Sequence, residues 1–173
     1  AAHTDRNQGN TWVERFFHCP TVHEHFYGQT DLGYADFANR TLHVWDFKYG
    51  AGLAVEVTDN PQEMYYACGL RTDLKAWGDF DKVVLHVHQP RITFHYSGIH
   101  RTHTVTVPEL QDWLYKVLIP AMERAMVSRD TKSGEHCRFC PARYRNCPQL
   151  AADEEEIRKM MALFDKGLTA DKL

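Results

Sequence analysis

No apolar run in this 173-residue chain approaches the length of about 20 residues needed to cross a bilayer as a helix, which excludes a helical integral membrane protein. The opening residues, AAHTDRNQGN, lack the basic-then-apolar layout of a signal peptide, so the chain reads as cytosolic. Internal repeats and low-complexity tracts are missing too, which argues against solenoids and tails. Neither sign of charge dominates, with 20 Lys and Arg against 23 Asp and Glu and a net charge of -3. A protein that coats nucleic acid through overall charge is therefore disfavoured, and any polyanion contact must come from a local patch. The five cysteines are odd in number, and three of them are clustered. In a reducing compartment that spacing favours a metal site over disulfides.

What is present fits one domain, 1–173, with a sizeable core: 43% of residues are hydrophobic and 12% aromatic. The informative stretch runs from Gly28 to Tyr66. Residues 31–36 and 41–48 read as an antiparallel hairpin around the four-residue turn Phe37-Ala38-Asn39-Arg40. If Asp36 pairs with Thr41, Asp31 stands opposite Asp46. Like charges directly across a ladder repel unless something positive lies between them. A hard divalent cation such as Mg²⁺ or Mn²⁺ is the natural remedy, held by Asp31, Asp46 and the backbone carbonyl of Phe47. Glu14, the lone acid in a first strand at 11–17, is a further candidate ligand.

Lys48 lies two residues beyond Asp46 on the same strand face, within reach of a metal-bound water or a phosphate. After a short strand at 53–57, Thr58-Asp59-Asn60-Pro61 reads as a helix cap with proline in the first turn. The helix, expected to run to Leu74, carries Gln62 and Tyr66 four residues apart and hence on one face. Downstream, 82–88 and 91–96 read as a second hairpin and 102–107 as a further strand. His86 and His88 share a face there and could bind a metal or line a DNA groove, although polar positions on a half-exposed sheet are the simpler reading, because no carboxylate accompanies them at ligand spacing. A helix opens at Pro108-Glu109, with Pro120 expected to kink or divide it. The C-terminal segment, 150–173, reads as an amphipathic helix that follows the acidic run 153–156.

The segment 134–148 holds Cys137, Cys140 and Cys147 in a C-x₂-C-x₆-C array, a spacing suited to one soft metal centre. Tetrahedral zinc and a 4Fe-4S cluster both need a fourth ligand. Cys19 is one candidate, and His136 is another in a zinc version; Cys68 reads as packing. Arg71, Arg138, Arg143 and Arg145 are the cations available to grip phosphates.

Gly28-x-x-Asp31, Asp46-x-Lys48 and Gln62-x-x-x-Tyr66 together resemble the RecB-like branch of the PD-(D/E)XK nuclease superfamily. The wording DFKYGAG…DNPQEMYYACG is most similar to phage-encoded members related to CRISPR-adaptation nucleases. The resemblance covers about residues 13–148. It implies a mixed α/β restriction-endonuclease-like core and a Mg²⁺- or Mn²⁺-dependent DNase, an exonuclease or end-processing enzyme acting on single-stranded or duplex ends. Asp31, Asp46, Lys48, Gln62 and Tyr66 would then be its catalytic residues. It also implies iron at the cysteine cluster, with a fourth cysteine and a catalytic histidine upstream of Ala1. Two alternatives stay open: a catalytically silent nucleic-acid-binding module of the same fold, and a zinc-stabilised interaction domain.

Overall fold

Alternation along residues 41–47 sends Leu42, Val44 and Asp46 inward and leaves His43, Trp45 and Phe47 on the other face of a strand. That strand is the centre of the sheet. A computed structural model of the protein describes residues 10–50, 53–76, 78–92, 97–144 and 147–165. The chain divides into two compact units, 1–126 and 127–173. The first unit is a mixed α/β fold on a five-stranded sheet of order β1-β2-β3-β4-β5, with β1 Thr11–His18, β2 Tyr27–Asp36, β3 Thr41–Phe47, β4 Lys82–His88 and β5 His100–Thr106. Neighbouring strands are antiparallel except β3 and β4, which run parallel across the crossover helix α1, Pro61–Asp73.

Helix α1 lies on the face that carries Phe17, Leu42, Val44, Val83, Leu85 and Val87, all fully buried. Its approach is close. A side chain at Gly69 would collide with the ring of Phe17, and one at Gly33 would meet Leu70 at 2.6 Å. Asn60 caps the helix, its side chain accepting from the amides of Gln62 at 2.9 Å and Glu63 at 3.4 Å, with Pro61 in the first turn as the sequence predicts.

Several expected elements differ. Residues 53–57 form no strand: the backbone of Val55 is held by side chains instead, its amide donating to Gln89 Oε1 and its carbonyl accepting from Arg101 Nε. The antiparallel partner of β4 is β5, which spans 100–106 rather than 102–107 and is stopped by a capping box, Thr106 with Glu109, that starts α2, Val107–Trp113. Of the strand expected at 91–96, residues 93–96 lie outside the described residues. Pro120 does not divide its helix. A π-helical turn, Leu114–Leu118, precedes α3, Ile119–Val127, and widens the helix one turn before the proline, which has no amide to donate. In the second unit, two 3₁₀ turns, Glu135–Phe139 and Pro141–Tyr144, precede α4, Pro148–Asp165, which starts earlier than the acidic run suggested.

On the sheet face opposite α1, three histidines on adjacent strands form a file. His43 Nδ1 and His86 Nε2 are 2.9 Å apart, and His86 Nδ1 and His100 Nε2 are 3.1 Å apart. Trp45 stacks on His86 with ring centroids 4.1 Å apart. Burial, reinforced by the neighbouring histidines, lowers His86 to a pKa of about 4. Its folded value is below the unfolded one, so this stability is present above pH 6.5 and is lost as the pH falls toward 4. His86→Phe, which keeps the ring stack, should remove about 3 kcal/mol of that acid sensitivity. Urea midpoints at neutral pH and near pH 4.5 check this, and parallel acid losses in both proteins would refute it.

Candidate active site

The hairpin register carries the acids toward each other. Asp36 pairs with Thr41 and Leu32 with Trp45, one step short of Asp31 and Asp46. Pairing stops there. On the other side of β2, Val13 pairs with Leu32 and Arg15 with Thr30, while Glu14 between them takes a left-handed backbone with φ 50 and leaves the ladder. Side chains built at Gly28 and Gly33 would both meet α1, although the two are five residues apart, so the alternation of β2 slips by one residue opposite Glu14. Freed from its place in the ladder, Asp31 turns its carboxylate to the end of β3, where Oδ2 accepts from the Phe47 amide at 2.7 Å.

Asp46 is buried, and its side chain is only 5% exposed. Lys48 Nζ lies 2.8 Å from Asp46 Oδ2 and donates to Gln62 Oε1 at 2.8 Å; Gln62 Nε2 in turn donates to the Tyr66 hydroxyl at 2.8 Å. Asp46 from β3, Lys48 just past its end and two residues of the helix thus form one continuous chain of an ion pair and two hydrogen bonds. The cap at Asn60 sets the rotation of α1 that aims Gln62 and Tyr66 at the strand end.

Glu63 was not among the sequence candidates. It is fully buried, and neither carboxyl oxygen has a hydrogen-bond partner among the described residues. Its neighbour is Asp46. Burial first, then the Asp46 charge, push the Glu63 carboxyl up to about 8, against the opposing pull of Lys48. Asp46 also shifts upward through burial, although Lys48 restrains it. A signal did exist in the sequence, but Asn60-Pro61-Gln62-Glu63 has the form of an N-cap followed by an acidic residue at the third helical position, where glutamate usually folds back on the cap at the surface.

Among the described residues, no three His, Cys, Asp or Glu side chains converge as a ready-made metal cage. Mg²⁺ does not require one, because it commonly keeps several waters and takes one or two carboxylates together with substrate phosphates. The orphaned oxygens of Glu63 beside Asp46 fit that requirement, since a cation there would satisfy two buried carboxyls that otherwise oppose each other.

The remaining candidates lie elsewhere. Glu14 has an exposed side chain, and its carbonyl accepts from Gln29 Nε2 at 3.2 Å. Arg71, expected to grip phosphate, is instead fully buried: its guanidinium donates to the Ala76 carbonyl at 3.1 Å and lies over the Phe80 ring, and burial lowers it to about 10. Cys19 sits in the core of the first unit, its thiol donating to the Gly69 carbonyl and pushed up to about 11 by burial, a packed thiol rather than an available thiolate. Cys68 is buried beneath α2, as packing requires. Cys137, Cys140 and Cys147 belong to the second unit as free, half-buried thiols, with Arg138 and Arg143 exposed on the same turns. His136 Nε2 lies 3.0 Å from the Lys132 carbonyl. Arg145 lies outside the described residues.

A family model described as "Protein of unknown function (DUF2800)" matches residues 2–172.

Proposed function

The chain belongs to the DUF2800 family, and from the site it carries we propose that it is a metal-dependent DNA nuclease with a PD-(D/E)XK-type catalytic centre. One observation supports this above the others: Asp46, Lys48, Gln62 and Tyr66 join in a continuous chain of one ion pair and two hydrogen bonds, beside the buried Glu63 carboxyl, whose oxygens have no hydrogen-bond partner among the described residues. A surface ion pair would need neither the buried Glu63 nor the helix-borne amide.

In this reading Asp46 and Glu63, with Asp31 at the edge, would hold Mg²⁺ or Mn²⁺, which when bound supplies charge neutralisation at the phosphate and a more acidic water. Lys48 offers its ammonium to the attacking water or to the phosphoryl oxygens as charge develops. Gln62 fixes the Lys48 rotamer, and Tyr66 fixes Gln62. Hydrolysis forms a new phosphorus–oxygen bond to water and breaks one ester bond, and the departing oxygen takes up a proton. In the second unit, Cys137, Cys140 and Cys147 are the thiols the chain offers to a structural iron–sulfur or zinc centre, and Arg138 and Arg143 are exposed cations for phosphate contact.

Asp46→Ala decides between an enzyme and a silent binding module. Wild-type protein with Mg²⁺ or Mn²⁺ should degrade end-labelled DNA, and Asp46→Ala should lower the rate at least about 10³-fold. Equal rates for the two proteins, or no cation-dependent cleavage by the wild type, would overturn the proposal.

A further inference from the structure

An open groove of about 570 Å³ begins where the catalytic chain ends, walled by Gln62 and Tyr66 on one side. It continues past Tyr65 and Tyr27 to Trp113 and Val117, so that aromatic rings from β2, α1 and α2 line one depression in the first unit. Tyr65 is held in place, its hydroxyl donating to the Tyr27 carbonyl at 2.7 Å and its ring packed edge-on to Phe26. Tyr27 and Val117 are 54% and 50% exposed, so the groove opens to solvent.

Among the described residues, no Lys or Arg lines it. An anion is therefore not what the groove is built to receive, although Lys48 stands at its catalytic end, bonded to Gln62. A ligand that matches both features is charged at one point and carries flat, neutral, weakly polar faces beside it. Unpaired nucleotides have that chemistry, because bases stack on aromatic side chains regardless of sequence, whereas paired bases have no free faces to offer. We infer that this groove is a base seat: it takes one or more unstacked bases of a single strand next to the phosphate held at Lys48, which makes an unpaired strand the preferred substrate. The seat rests on the nuclease reading for its neighbour, and on its own lining for its occupant.

The test uses the full chain with calcium in place of magnesium and follows fluorescence anisotropy of three labelled probes: a short oligothymidylate, a sugar–phosphate strand of the same length without bases, and a blunt duplex. Wild-type protein should bind oligothymidylate about tenfold or more tighter than the base-free strand. Tyr27→Ala removes a ring and Val117→Trp fills the groove, both at exposed positions that leave the core intact. Each should weaken oligothymidylate binding to near the base-free level while leaving the base-free strand and the duplex unchanged. Equal weakening of all probes, or none, would overturn the seat. So would competition by decanoate that both substitutions abolish while base binding persists, since the groove would then hold an acyl chain. Cleavage with magnesium is scored separately. A wild type that discriminates bases but never cuts keeps the seat and removes the nuclease; undiminished cutting and binding in both variants does the reverse.

Discussion

Lys48→Ala should lower DNA cleavage by about 10²–10³-fold or more while changing DNA affinity by less than about tenfold. The asymmetry follows from where the ammonium sits. It is tied at 2.8 Å to both Asp46 and Gln62 with its side chain 26% exposed, so it faces the place where charge would develop rather than a long phosphate track. Losing one partly exposed cation removes only a small part of the non-specific attraction to a polyanion. Lys48→Arg should not restore the rate, because a planar guanidinium cannot place one point charge between a carboxylate and an amide. Single-turnover cleavage and anisotropy binding separate the two effects. Parallel loss of cleavage and binding would make Lys48 a structural residue.

Glu63→Gln should have the largest effect on stability. The Glu63 carboxyl is fully buried, and its folded value, about 8, lies well above the 4.5 of an unperturbed glutamate. The folded state therefore holds a proton that the unfolded state has already released, and stability declines as the pH rises from about 4.5 to about 8. Without divalent cations, the glutamine variant should be more stable than wild type by about 4 kcal/mol at pH 8 and nearly equal to it at pH 4.5. Denaturant midpoints in chelator measure this, and a constant difference across the range would refute it. Manganese should raise the wild-type midpoint and leave the variant nearly unmoved, because the amide has no charge to offer the ion.

The parts of this site visible in the sequence were those governed by short-range rules. A four-residue turn with pairing of period two gave the hairpin register from Asp36–Thr41 to Leu32–Trp45, one step short of Asp31 and Asp46, and the cap at Asn60 with a period near four placed Gln62 and Tyr66 on one face. Glu63 and Arg71 were hidden because their surroundings come from distant parts of the chain. One is enclosed when α1 settles on the sheet beside Asp46, and the other when the segment after the helix brings Ala76 and Phe80 over it. A charged side chain in a helix reads as surface unless something outside the helix covers it. The parallel placement of β4 beside β3 was equally invisible, since strand order follows from how α1 crosses over rather than from any local pattern. Glu14 shows the same limit: its break in the ladder is a backbone conformation that nothing in TWVERFF announces.

The bare backbone of Gly69 against Phe17 reaches beyond packing. With no side chain between them, the helix backbone lies directly against the ring, and Asp46 and Glu63 are brought together as α1 packs on the sheet during folding. For the proposed nuclease this would mean a template finished before the substrate arrives, with discrimination among ligands falling to the shape of the entrance.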